Sequence, residues 1–573
     1  MNVCNPKTKA TDRRHFLHKA SVFQQPADVQ QRVGENPHIK IALAGVKQRF
    51  FRQKTMTRNF GLFIKLLLSL LLFATVVSYG WIHWRLIWLS EPLTIRESVL
   101  VIDVRGYLDP HAARPYTLES IPQYTNLYGI GYLWGGAPFS AFLPFPEYSN
   151  LRLANAFYLG LLLVVLWMGS NAGTPLQRLF GLVLVYALFV SSPSVAASPD
   201  VLGCLLYTLA WVIVVRRNFS FGALFLSILL AFLAFLTKPY FVLAAGSIGS
   251  YLFFFRSKRL GLIYSLGVIA LFAPGLWFIY SRYPYYFFET FKIHTLITTI
   301  SFENGLRQWR EFIILALVPC FVFAWTVAAQ LRKSYRTVRF QGAFNDPFFS
   351  KSLSINPYDW GALMALAVLA GLLSWHQGAY LIYFFHLLLP LLVLGIMNRP
   401  AVNPIWPCLN IAALLYLCPS LPPVKTSADW IALGKLVAKH PNAYIDPYFE
   451  SLLPPGRPVL IDNGLSEYLI SMGYASGSPD LRAHCKGCFH DFKDKICERR
   501  FDSLVLAPGF FLSHALSNLI MENYEVSGTF TIQPYYGAFR NRLSFGHAGG
   551  PALFLTPRKT NLRLPNALPP IPK

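Results

Sequence analysis

Between Gly61 and Ser420 the chain carries eleven apolar stretches, and the basic residues that separate them fall mostly on one side. A helix needs about 20 apolar residues to cross the hydrocarbon of a bilayer. Hydrophobic residues make up 54% of the 573 and charged residues 14%, more apolar surface than a soluble domain can hide. The pattern predicts an α-helical polytopic membrane protein. Its spans lie near 61–89, 151–170, 178–196, 200–216, 219–236, 240–255, 260–281, 311–330, 359–375, 380–397 and 401–418.

Orientation follows from Lys and Arg in the short loops. Arg178, Arg216 and Arg217, then Arg256, Lys258 and Arg259, then Arg332, Lys333, Arg336 and Arg339 share one side. The stretch through Arg58 holds 12 Lys+Arg against 3 Asp+Glu and joins that side. The N terminus is therefore expected in the cytoplasm of a cytoplasmic (inner) membrane protein. An odd number of spans puts the C-terminal segment outside. The net charge of +24 reads as a topology signal with affinity for anionic lipid, not for nucleic acid.

Three regions are expected. Residues 1–58 are polar and basic without helical periodicity, and read as a disordered cytoplasmic tail. Their TDRRHFL run resembles a twin-arginine signal, but no apolar stretch follows Arg13 and Arg14. The segment from Met56 reads like a natural start. Residues 59–420 form the transmembrane region and include a long first outside loop, 90–150. That loop holds apolar runs at Ser98–Ile102 and Phe139–Phe145, suited to interfacial helices. Prolines at 110, 115, 122, 138, 144 and 146 are expected to break it into pieces. The aromatic run at 283–288 is expected at headgroup depth. Residues 421–573 read as a small α/β extracytoplasmic domain, with strands at Pro458–Ile461 and Ser503–Leu506 and helices at Asp429–Lys439 and Ser513–Glu522. Cys485, Cys488 and Cys497 in that tail are expected to form a disulfide. The string from His484 to His490 also resembles part of a zinc site, though only one CxxC is present.

Ionisable groups at the outer edge of a helical bundle are functional candidates by default. Glu97 and Asp103 follow the first span, and either carboxylate suits a base that takes a proton from a hydroxyl. The alternative for each is a carboxylate facing water. Asp200 follows Pro199 at a helix start, where the helix dipole already accounts for it. Lys238 stands between two apolar runs, placed to snorkel or to hold a lipid phosphate. His294, Arg307 and His376 are further outer cations; a lone histidine is more often structural.

These pieces, in this order, resemble glycosyltransferases of the GT-C fold. The likeness is to polyprenyl-phosphate-sugar-dependent enzymes: the protein mannosyltransferase and aminoarabinose transferase types and the RgtA/B/C/D-like transferases. It rests on Glu97 after the first span, then Arg114-Pro-Tyr116 and Tyr124-Thr-Asn-Leu-Tyr-Gly129 in the same loop. Ser198-Pro-Asp200, Phe235-Leu-Thr-Lys238 and Gly378-Ala-Tyr-Leu-Ile-Tyr383 follow. Gly456–Asp462 and Arg500–Val505 resemble the soluble tail of such proteins. Two departures stand out. Ser198 replaces an arginine, and the Tyr124–Tyr128 run lacks a double proline.

The resemblance implies a membrane glycosyltransferase that moves a sugar from a polyprenyl-phosphate donor to an acceptor hydroxyl, inverting, with a carboxylate base. The acceptor is lipid- or polysaccharide-linked, or a protein. Glu97 is first choice for the base, Asp103 second, with Asp200 in support. A phosphate leaving group needs cations rather than a general acid. Lys238 comes first there, with His294, Arg307 and His376 as alternates, while Tyr116, Tyr128 and Tyr383 stack on the sugar. Such enzymes differ in metal use, so no cofactor is assigned and a divalent metal stays open. Rival readings are a transporter or flippase, an O-antigen ligase or polymerase, and a membrane scaffold.

Overall fold

The computed structural model describes residues 37–93, 95–109, 114–121, 128–292, 300–341, 355–375, 381–399, 402–417, 428–446, 449, 452, 479–506, 514–531 and 551–559. Long apolar runs become helices. They are α1 (Pro37–Ile87), α2 (Ile95–Leu108), α3 (Ile130–Phe142), α4 (Glu147–Gly169) and α5 (Pro175–Val190). After a 3-10 turn at Pro193–Val195 come α6 (Asp200–Arg216), α7 (Phe221–Thr237), α8 (Leu243–Tyr251) and α9 (Lys258–Arg282). Then follow α10 (Phe302–Leu315), α11 (Leu317–Gln341), α12 (Pro357–Val368), α13 (Ile382–Leu387), α14 (Leu389–Met397) and α15 (Ile405–Tyr416). Ends are set locally: at α5, Thr174 accepts from the Gln177 amide and Pro175 opens the first turn.

The outward faces of these helices are apolar. Phe73 and Phe225 are each 69% exposed and Trp277 72%. Apolar faces of this extent are unfavourable in water and at home in lipid, so the chain is a helical membrane protein. Among the described residues, Asn59–Ile87, Glu147–Gly169 and Lys258–Arg282 are long and apolar enough to cross a bilayer alone. Shorter apolar helices fill most of the remaining expected stretches. The stretch at 311–330 is not one straight span, since Gly305–Leu315 and Leu317–Gln330 meet at 96°.

Other expectations also change. α1 begins at Pro37, so residues 37–58 are helical; this stretch is rich in Ala, Lys, Gln and Arg, good helix formers. Pro138 lies inside α3 and does not break it. The first-loop helices do more than lie at an interface. Leu100, Val101, Val104, Ile130 and Leu133 are buried, and α3 packs on α2, α4 and α7. Tyr286 is also buried, 5.1 Å from the Tyr116 ring rather than among headgroups.

The C-terminal segment builds α16 (Ala428–Lys439), β1 (Ala443–Ile445), α17 (Pro479–Cys497), β2 (Ser503–Leu506), α18 (His514–Asn523), β3 (Tyr524–Thr531) and β4 (Pro551–Pro557). The sheet order is β1-β2-β4-β3, with β1 and β2 parallel and the other pairs antiparallel. Alternation along β1 and β2 sorts side chains onto two covered faces. Tyr444, Leu504 and Leu506 pack with α17 and α18, while Ala443, Ile445 and Val505 pack with α16. That double coverage is why β2 reads as a continuous apolar run. Pro458–Ile461 lies outside the described residues, and β3 and β4 were not expected.

One glycine fixes how the first loop meets the bundle. The Gly129 amide donates to the Thr237 carbonyl at 3.0 Å, and a Cβ there would overlap the Leu236 carbonyl. Gly129→Ala forces this backbone contact apart. We expect it to lower stability by about 3 kcal/mol, read as an earlier thermal unfolding transition in detergent, while Gly160→Ala, in open space, leaves the transition in place.

Candidate functional site

Two prolines set the polar centre of the bundle. Pro239 stops α7, leaving Lys238 extended at φ −151° and ψ 132°. Pro199 precedes α6, so Asp200 opens that helix. The ends of α7 and α6 thereby bring Lys238 Nζ within 2.5 Å of Asp200 Oδ1. Both side chains are buried. Tyr240 donates to Asp200 Oδ1 at 3.0 Å and Ser198 to Oδ2 at 3.1 Å. His386 Nδ1 stands 3.5 Å from Oδ1. Its Nε2 meets Ser194 Oγ at 2.8 Å, and Ser192 donates to Ser194 at 2.7 Å.

Three aromatic rings surround the ammonium. Nζ lies 4.9 Å from the Tyr128 centroid, 5.5 Å from Tyr240 and 5.7 Å from Tyr383. The ring quadrupoles and the Asp200 carboxylate together hold the side chain in place. The result is a fixed cation in a cage built from the first loop, the 3-10 turn Pro239–Val242 after α7, and α13. Asp200 is thus an ion-pair partner, not the simple helix cap that its position allows, and Lys238 does not snorkel.

Glu97 and Arg152 form a second buried centre beside it. Arg152 Nε and Nη2 donate to the two Glu97 oxygens at 2.7 Å each. Nη1 donates to the Leu86 and Leu89 carbonyls and Nη2 also to Glu91, so all five guanidinium N–H groups are used. Glu97 further accepts from the Leu93 amide at 2.6 Å and the Ala197 amide at 2.8 Å. Each oxygen already takes two hydrogen bonds, and the side chain is not water-facing. A proton could be taken from a substrate only by breaking the clamp. Ala197 lies three residues before Asp200, so the clamp and the lysine centre share one turn.

Asp103 is buried one and a half turns further along α2. It lies with Glu289 in the electrostatic neighbourhood of Tyr116. Burial, then Tyr286, Asp103 and Glu289, push the Tyr116 hydroxyl well above the usual tyrosine range. It stays protonated and donates to the Tyr128 carbonyl at 2.6 Å, and Tyr128 in turn covers Lys238. Tyr116 therefore links the Asp103 region to the cage. Its side chain is fully buried.

Of the expected residues, Asp200, Lys238, Tyr128 and Tyr383 come together, with Glu97 and Tyr116 adjoining. Arg307 is exposed on α10, whose Trp309 packs 4.7 Å from Phe384. His294 and His376 lie outside the described residues. Sequence reasoning missed Arg152, Tyr240 and His386. Arg152 is a cation near the start of an apolar helix and His386 sits inside an apolar run, the same signal that marked the others. The tail cysteines also differ from expectation. Cys485, Cys488 and Cys497 all lie on α17 as free thiols. The nine residues from Cys488 to Cys497 span about 13 Å of helix, beyond disulfide reach. Among the described residues no group of three or more His, Cys, Asp or Glu is placed to hold a metal ion.

Removing one partner of a buried ion pair leaves an uncompensated charge. We expect Arg152→Met or Glu97→Leu to destabilise the protein by about 3–5 kcal/mol, and the double variant to recover part of that loss. A double-mutant cycle on thermal unfolding measures it; additive losses contradict the clamp.

No protein-family model matches the sequence, and no curated protein does. Two solved structures are similar, both of ArnT from Cupriavidus metallidurans. The apo state shares 13% identity at a TM-score of 0.34. The form bound to undecaprenyl phosphate shares 14% at 0.33. Each likeness covers 79% of this chain and 84% of the other. Scores of that size carry no weight in assigning residues or reaction.

Proposed function

We propose that the protein is a GT-C-like glycosyltransferase that moves a sugar from a polyprenyl-phosphate donor to an acceptor hydroxyl at the outer face of the cytoplasmic membrane. The observation that carries this reading is the caged, buried ammonium of Lys238, paired with Asp200. A fixed cation in a dry site stabilises the negative charge that grows on a departing phosphate. The sequence resemblance places the same lysine in the motif that opens a span.

In this reading Lys238 holds the donor phosphate and Asp200 aims the ammonium. Tyr128 and Tyr383 line the sugar position. We assign the base to Asp103 rather than Glu97, because both Glu97 oxygens are committed to the clamp. Asp103 stands on the same helix, joined to the cage through Tyr116 and Tyr128. The base takes the acceptor proton as the oxygen attacks the anomeric carbon and the phosphate leaves with the bonding electrons, inverting that centre. Glu97 and Arg152 position the loop and do not touch substrate.

Purified protein supplied with defined prenyl-phosphate sugars tests this. Loss of a general base lowers turnover about 10²–10⁴-fold, the effect we expect for Asp103→Asn with donor binding retained. Lys238→Met removes charge stabilisation, and we expect a fall of about 10²–10³-fold in kcat together with weaker donor binding. Full activity in Lys238→Met rejects the site. If Glu97→Gln folds normally and alone stops turnover, the base assignment moves to Glu97.

The same reading puts the C-terminal segment outside and the N terminus in the cytoplasm. Cys497 is exposed at the end of α17. We expect a membrane-impermeant maleimide to label it on intact cells; labelling only after the membrane is opened reverses the orientation.

A further inference from the structure

The geometry points to a separate lipid site: a groove between α1, α4 and α5 that takes one acyl chain of a bilayer glycerolipid, with His83 donating to its ester carbonyl. The groove has a volume of about 270 Å³ and is lined by Gly80, His83, Trp84, Leu159, Gly160 and Tyr186, among others. Two glycines open it. A Cβ on Gly160 would meet nothing within 4 Å, and one on Gly80 only the Tyr186 hydroxyl at 3.9 Å.

His83 supplies the second observation. It is 7% exposed, and its Nδ1 pairs with the Tyr186 hydroxyl at 3.3 Å. Its Nε2 is buried and has no hydrogen-bond partner among the described residues. A polar nitrogen in that position is unfavourable unless something from the groove meets it. We take the tautomer in which Tyr186 donates to Nδ1, which leaves the proton on Nε2 and in need of an acceptor.

The surroundings decide what arrives. Phe157 and Val164 on α4, each 52% exposed, and Trp84 at 55% make this face lipid-facing. The occupant therefore enters from the bilayer. Trp84 and Trp88 pack edge to face 5.4 Å apart, and Trp88 lies 5.0 Å from Phe145. Such aromatic clusters sit at the membrane interface. His83 is one turn from the end of α1, and in a helix that crosses the bilayer the last turn comes close to the ester carbonyls. The groove also backs the polar centre: Asn155, beside Ala156 of its wall, donates to the carbonyl of Ala196.

The full-length protein is placed in vesicles of phosphatidylethanolamine and phosphatidylglycerol, doped with a phosphatidylethanolamine whose acyl chain carries a diazirine. After irradiation we expect adducts on the peptides around Gly80–Ile87 and Ala156–Leu163. Gly160→Phe fills the groove and His83→Leu removes one hydrogen bond from a buried site, so we expect each to cut these adducts about tenfold. Undiminished adducts in folded Gly160→Phe overturn the proposal. If that variant does not fold, His83→Leu decides: a fall supports the site and no change rejects it. Suppression of the wild-type adducts by added polyprenyl phosphate gives the groove to a prenyl chain and rejects it too. The readout is lipid contact, so it stands or falls apart from the reaction assigned to Lys238.

Discussion

The Glu97–Arg152 pair is the constraint on which the polar end of the bundle depends. All five guanidinium N–H groups and both carboxylate oxygens are committed. Through them the end of α1, the start of the loop that follows it, α2, α4 and the turn before Asp200 are fixed to one another. An ion pair this buried is held by the completeness of its hydrogen bonds rather than by charge alone, because desolvation offsets much of the Coulomb attraction. Its effect is geometric. It keeps the first loop folded over the bundle, so that Tyr128 covers Lys238.

The polar centre itself is made from interruptions. An apolar bundle offers few places for a charged pair, but a helix end leaves polar atoms and a change of direction. Pro199 and Pro239 create two such ends at one level, and Asp200 and Lys238 occupy them. His386 joins from a third interruption, where α13 gives way to α14 near Leu388. The Ser192–Ser194 turn then completes the chain of hydrogen bonds. Each charged group is thereby matched, which a site in low dielectric requires.

Much of this was legible in the sequence. Apolar runs located the helices, and outer charges singled out Asp200 and Lys238, whose pairing the structure displays. Strand β2 and helices α16 and α18 followed from local pattern. Other features were missed. The partner of Glu97 is 55 residues away, and no periodicity reveals a contact between two helices separated by a loop. Arg152 and His386 were read as parts of apolar runs when their isolation in those runs was the signal. The bend at 311–330 has a proline behind it: Pro319 has no N–H for the Leu315 carbonyl and its ring crowds that oxygen, so the helix breaks there, with Phe312 on Phe384 and Phe321 on Trp406 setting the two directions. Strands β3 and β4 are built from mixed polar sequence whose pairing is decided by the sheet.

The central claim is that the caged ammonium of Lys238 is where a lipid phosphate binds. An experimental structure of the full chain with a short-chain polyprenyl phosphate tests it most directly. The account expects the phosphate within about 3 Å of Lys238 Nζ, with the Glu97–Arg152 clamp intact. A phosphate seated elsewhere, with the Lys238–Asp200 pair undisturbed and its tyrosine cage closed, contradicts it.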